Sequence, residues 1–267
     1  METALRKATR LDYNPPKQKH LSALISMTFH HPGMVTDMMD ILSKRLRENS
    51  WIISFKVLII IHSLMRDGNG DRAIAYAEAH PSSLDTSRLR EKSSGLVHIE
   101  NIHNYTSYLI QRVHAYRELK MDYIKATTVN KVSRLRRLTV AQGLLRDLPV
   151  LQKQIGALLR CKFHMDDVDN TISLYAFRLL VEDMLVLFQT VNEGVVNILE
   201  QYFTMSQTDA RAALEIYKRF SRQTEDTIAF MATARHLQHE MHMTIPVPKH
   251  VSDKAWYSII VSKYLVG

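Results

Sequence analysis

Lys17, Lys19 and His20, which begin ten residues beyond Lys7, are the side chains of this sequence best placed to bind an anion. Pro15-Pro16 presets the backbone for a helix start, because proline is tolerated in a first helical turn. Lys17, Lys19 and His20 then surround the N-terminus of that helix. Cations there oppose the helix dipole and cost roughly a few tenths of a kcal/mol each. No acidic residue accompanies them to offset the cost. The arrangement becomes favourable once an anion binds the exposed amides and the lysines together. A multiply phosphorylated headgroup fits that description. A flexible basic tail that happens to precede a helix fits the same residues equally well, and spacing alone does not separate the two.

Other chemistry is poorly supported. The sequence has no glycine-rich phosphate loop, Cys-x-x-Cys pair or nucleophile elbow, so neither an enzyme nor a cofactor is expected. His236, His239 and His242 would spread over about 120° of a helix and have no nearby Cys or His partner. His239-Glu240-Met241-His242 falls one residue short of zinc-protease spacing, so an exposed polar face explains it better than a metal site. Met34, Met38 and Met39 read as core filler.

The elements that must position these residues are helices. Only 8 Gly and 7 Pro occur in 267 residues, while 46% of the chain is apolar and 23% charged. That excludes a disordered chain and argues against a Rossmann fold or a β-barrel, both of which need more turn glycine. The apolar run Trp51–Met65 is interrupted by Lys56 and is too short to span a bilayer. Nothing at the N-terminus has the apolar core of a signal peptide, and one cysteine, Cys161, fits a reducing compartment. Apolar spacing predicts helices at about 20–29, 34–46, 51–65, 71–80, 84–92, 101–121, 139–148 and 149–163. Two long ones follow at about 168–204 and 207–242. Asn49-Ser50 caps the third helix and Asp67-Gly68-Asn69-Gly70 is a turn. Short helices running into long antiparallel ones predict an all-α right-handed solenoid over about 1–165, then a long-helix bundle over about 166–245. The segment 246–267 stays unassigned, although Trp256, Ile259, Ile260 and Tyr264 are spaced for one apolar face.

The charge requires a polyanionic partner. Thirty-five Lys and Arg against 27 Asp and Glu leave +8, which favours nucleic acid, acidic protein or an anionic leaflet. Besides the N-terminal group, residues 112–137 are strongly basic, a cluster that solvated helix faces explain equally well. Nucleic acid would call for stacking aromatics among the cations, whereas Tyr105, Tyr108 and Tyr116 fall at core-like spacing. A helical protein-interaction scaffold with incidental lipid binding is the other alternative.

Lys7-Ala8-Thr9, six residues, then Pro16-Lys17-Gln18-Lys19-His20 resembles the phosphoinositide motif of the ANTH domain of phosphatidylinositol-binding clathrin assembly proteins. Ser50–Lys56 with His62–Met65, Asn192–Phe203 and Leu214–Phe220 resemble further blocks of that family, in the same order. The resemblance implies a single domain that binds phosphatidylinositol 4,5-bisphosphate on an external basic patch, with Lys7, Lys17, Lys19 and His20 on the phosphates. It implies an endocytic adaptor on the cytoplasmic face of the plasma membrane, in clathrin-coated pits and vesicles. Clathrin would bind through a C-terminal tail absent from this sequence, and an epsin-type ENTH domain would share the lipid. Vesicle SNAREs would enter a groove between the long helices, with Leu199 as a groove contact and Thr224 in a facing position. Only six residues precede Lys7, so an inserting amphipathic helix ahead of the motif is expected to be short or missing.

Overall fold

The structure, a computed structural model, describes residues 1–90, 96–130, 133–163 and 171–246. Helices dominate, and no strand occurs among the described residues. No described helix is long and apolar enough to cross a membrane. The chain divides into two compact units. One comprises Met1–Asp122 with Arg160–Leu180, the other Tyr123–Leu159 with the described residues from Val181 onward.

The first unit holds α1 (Glu2–Ala8), α2 (Gln18–His30), α3 (Pro32–Leu46), α4 (Trp51–Asp67), α5 (Gly70–Ala79) and α6 (Leu96–Leu119). Each packs on the next, and α1 to α4 also pack on the helix two places further along. Packing chiefly on first and second neighbours is that of a solenoid. Helix α4 is its axis, with every residue from Trp51 to Met65 buried. Ser50 starts it, its Oγ accepting from the Ile53 amide. Gly68 ends it; a Cβ there would lie 2.8 Å from the Leu64 carbonyl oxygen. Met38 and Met39 are core, as their spacing predicts.

The helix expected at 84–92 does not form in its described part. Pro81–Leu84 makes one 3-10 turn. Asp85 Oδ1 then accepts from the Ser87 amide, and the Arg90 amide donates to Asn49 Oδ1. An aspartate that bonds its own backbone two residues on offers the chain an alternative to helix.

In the second unit lie α7 (Tyr123–Asn130), α8 (Leu144–Leu159), the C-terminal part of α9 (Thr171–Gln201) and α10 (Gln207–His236). The helical pair expected on either side of Pro149 is one helix with the proline inside it. The lost hydrogen bond is tolerated because Leu144, Leu148, Leu151, Ile155 and Leu158 bury one continuous face. The expected lobes, 1–165 and 166–245, group the helices differently from these units, for an identifiable reason. Glu193 accepts from the Ser133 amide at 2.8 Å, and Asn197 Nδ2 donates to the carbonyls of Leu135 and Leu138 at 2.7 Å each. Gly194 lets this loop close in: a Cβ there would sit 2.8 Å from Leu148 Cδ2 and 3.1 Å from Leu135 Cδ1. The block Asn192–Phe203 is therefore a clamp on residues 133–138.

Helix α10 packs chiefly on α8, where Gln223 Nε2 donates to the Gln152 carbonyl and Gln152 Nε2 to the Ile216 carbonyl. Phe188 and Phe220 stack with centroids 5.8 Å apart and fix the α9–α10 register. Thr224 therefore lies level with about Met184, some fifteen residues or roughly 22 Å along the axis from Leu199. The two do not face each other, as had been expected; the short turn between the helices places about residue 209 opposite Leu199. Leu199 is half-buried, and Thr224 is buried with its hydroxyl on the Phe220 carbonyl.

The basic stretch 112–137 is partly neutralised. Arg112 is buried on Asp122 at 2.5 Å, and Arg136 forms a two-pronged pair with Glu200 at 2.5 and 2.6 Å. Lys131 lies outside the described residues, as does the apolar face proposed for 250–267. Helix α10 ends at His236, so His239 and His242 do not continue its face. No His, Cys, Asp or Glu cluster able to hold a metal forms among the described residues.

Replacing Asn197 with Ala removes a donor from the Leu135 carbonyl and one of the two on the Leu138 carbonyl, which keeps Gln201 Nε2, and costs about 1–3 kcal/mol. The melting temperature should fall by several degrees. An unchanged melting temperature would mean that the loop is held elsewhere.

Candidate anion-binding site

The site begins at the end of α1. Lys7 points outward in its last turn, while Ala8 and Thr9 are buried beneath. Thr9 Oγ1 donates to the Leu5 carbonyl at 2.8 Å, and the Thr9 carbonyl accepts from Arg45 at 3.0 Å. Small residues after the lysine are needed because they sit against α3, and the hydroxyl closes the helix end.

Residues 10–16 then pass over α4. Its Lys56 amine, almost wholly buried, lies 2.7 Å from both the Arg10 carbonyl and Asp12 Oδ1. Asp12 also accepts from the Asn14 amide at 3.2 Å, and Thr171 Oγ1 donates to the Tyr13 carbonyl at 2.6 Å. Burial works against the charged form of Asp12, but hydrogen bonds from Lys56 and Asn14 and the nearby cations outweigh it and lower its pKa. Burial lowers the Lys56 pKa, and Asp12 offsets this only in part.

Pro16 is buried and delivers the chain to α2. Lys17 is the N-cap residue in extended conformation, with no side-chain cap and no acid in the first turn. The amides of Gln18 and Lys19 have no hydrogen bond among the described residues. Two free amides and the positive end of a 13-residue helix thus face outward between lysines.

Lys7, Arg10, Lys17, Lys19, His20 and Lys56 line one cleft of about 200 Å³, with Asp12 its one acidic wall residue. All four residues predicted from the sequence meet there. Since Asp12 and Lys56 neutralise each other, Lys7, Arg10, Lys17 and Lys19 leave a local excess of positive charge, with no ion pair of their own among the described residues. His20 reports that field. Its pKa is lowered by loss of solvent and then by Lys19, Lys7 and Lys17. An anion in the cleft would reverse the electrostatic part of that shift. Sequence reasoning missed Lys56 as part of the site, reading it only as an interruption of an apolar run. The signal was present: a lysine inside a fully buried helix requires a partner.

Comparison with known proteins gives the family and the fold. The ANTH domain model matches residues 1–256. An ENTH domain-containing protein of Schizosaccharomyces pombe is 38% identical over 249 residues, covering 93% of this chain and 38% of its own length. The clathrin coat assembly protein AP180 of Mus musculus is 34% identical over 233 residues, 86% of this chain and 26% of its own. The chain thus spans well under half the length of either relative. In fold it is similar to a cryo-EM structure of helical ANTH and ENTH tubules on PI(4,5)P2-containing membranes, with a TM-score of 0.72, 19% identity and 98% of both chains covered.

Lys56→Met should loosen the loop it tethers. Amide exchange across residues 10–15 is expected to accelerate, with little change in the protection of α6. Unaltered exchange in the loop would remove Lys56 from its positioning role.

Proposed function

Because the chain belongs to the ANTH domain family, we propose that it is the phosphatidylinositol 4,5-bisphosphate-binding module of a clathrin adaptor, acting at the cytoplasmic face of the plasma membrane in endocytosis. The observation that carries this reading is the meeting of Lys7, Lys17, Lys19 and His20, joined by Arg10, around the uncapped start of α2. Two phosphate groups on one ring need several donors and a positive potential within a few ångströms of each other, and the cleft offers both. Its small size suits contact with a headgroup presented at a surface rather than engulfment of a whole ligand.

In this reading, binding is the module's whole chemistry. One headgroup site gives a weak, reversible hold on a membrane, so stable recruitment needs a second engagement. Clathrin contacts through segments outside this domain, an ENTH partner sharing the lipid, and a vesicle-SNARE helix beside Leu199 are the engagements this reading includes. Half-burial leaves Leu199 some surface to offer a helix.

Each basic residue near an anionic surface contributes about 1 kcal/mol. Lys17→Glu with Lys19→Glu removes two such contributions and adds repulsion, so binding should fall by at least about thirtyfold. Co-sedimentation with vesicles containing phosphatidylinositol 4,5-bisphosphate measures it, with circular dichroism confirming an intact fold. Undiminished sedimentation of the double variant would overturn the headgroup reading.

A further inference from the structure

The loop that walls the cleft also carries apolar surface. Leu11 is 69% exposed and Tyr13 is 52% exposed. Single exposed apolar side chains are common and mean little by themselves. These two are held outward. The Arg10 carbonyl and the Asp12 carboxylate are both bound by the buried Lys56 amine, and the Tyr13 carbonyl by the Thr171 hydroxyl. With inward tethers at residues 10, 12 and 13, the Leu11 side chain is left facing solvent. Tyr13 rests against Trp51, centroids 6.0 Å apart, and keeps half its surface outside. Of the other strongly exposed large apolar residues among those described, Phe29, Leu96, Val129 and Phe203, none belongs to this loop. Lys7, Arg10, Lys17 and Lys19, all exposed, flank it.

We infer that Leu11 and Tyr13 form an apolar insert that enters the bilayer interface when anionic headgroups occupy the adjoining cleft. The inference rests on the headgroup reading above and adds a hydrophobic component to it. A rigid loop with a leucine at its crest and cations on its flanks matches a bilayer surface layer by layer. The phosphates meet the cations, and the side chain of Leu11 passes below them toward the acyl boundary. Tyr13 has an apolar ring and a polar tip, the combination favoured at headgroup depth. Because the loop is already ordered, insertion requires no refolding.

The test places an environment-sensitive fluorophore on Leu11→Cys. Labelling is selective, because Cys161 is buried and its thiol pKa is pushed up to about 12. Phosphatidylcholine vesicles containing phosphatidylinositol 4,5-bisphosphate should shift the emission to the blue, and brominated acyl chains should quench it. Soluble inositol 1,4,5-trisphosphate should do neither. Leu11→Ser should weaken vesicle binding roughly tenfold, in line with partial burial of one leucine, and leave trisphosphate affinity unchanged. A probe that stays in water while vesicles bind, or undiminished vesicle binding by Leu11→Ser, overturns the insert and leaves the headgroup reading standing. Loss of trisphosphate affinity in Leu11→Ser also overturns it, assigning Leu11 to loop shape. Trisphosphate binding without vesicle binding by the unaltered chain overturns it in favour of a soluble acidic partner. Failure of that chain to bind either one overturns the headgroup reading and the insert together.

Discussion

The Lys56 ammonium buried beneath the 10–16 loop is the interaction on which the candidate anion site depends. A charge inside an apolar helix is costly unless it is paired and hydrogen-bonded. Here the partners are Asp12 and the Arg10 carbonyl, so the requirement of a core residue is met by fixing a surface loop. The same pairing removes the one acid of the cleft from the electrostatic balance. Lys7, Arg10, Lys17 and Lys19 then face a common space beside His20 with their positive charge uncompensated. Buried structure and surface electrostatics are thus joined through a single amine.

Placing like charges together at the start of a helix is unfavourable for folding and favourable for binding. Loss of solvent and then the neighbouring lysines lower the pKa of His20. The solenoid tolerates this placement because its stability comes from elsewhere: α4 is buried along its length, and the helices around it close one core. Cations elsewhere in the chain are treated differently. Arg112 and Arg136 each lie on a carboxylate, so the second basic stretch is neutralised in part. The contrast between paired and unpaired cations separates a binding surface from a structural one.

Much of this was legible in the sequence. The scarcity of glycine and the 3.6-residue apolar spacing led to an all-helical fold, and the Pro-Pro step located the start of α2 to within two residues. Spacing placed Lys17, Lys19 and His20 at the start of α2, and the family resemblance added Lys7 to the candidate site. What could not be read depended on contacts distant in sequence. Lys56 acquires its role from a partner 44 residues away. Pro149 looks like a helix boundary until the apolar face continuing through it is seen packed. Asp85 diverts its segment through a local side-chain bond that competes with helix on nearly equal terms. The facing of Leu199 and Thr224 failed because helix register requires knowing where the turn lies and which rings stack across it. Periodicity gives faces; it does not give register.

The claim that the cleft is an anion receptor is tested most directly on its own titrating group. The pKa of His20, followed by NMR and assigned with His20→Gln, should lie below its ordinary value in the free protein. Saturating inositol 1,4,5-trisphosphate should raise it, because phosphates that offset Lys7, Lys17 and Lys19 favour the imidazolium. Binding then takes up a proton, and affinity increases as the pH falls through the raised value, levelling off below the free one. A His20 pKa that does not move while the trisphosphate is bound would contradict the account.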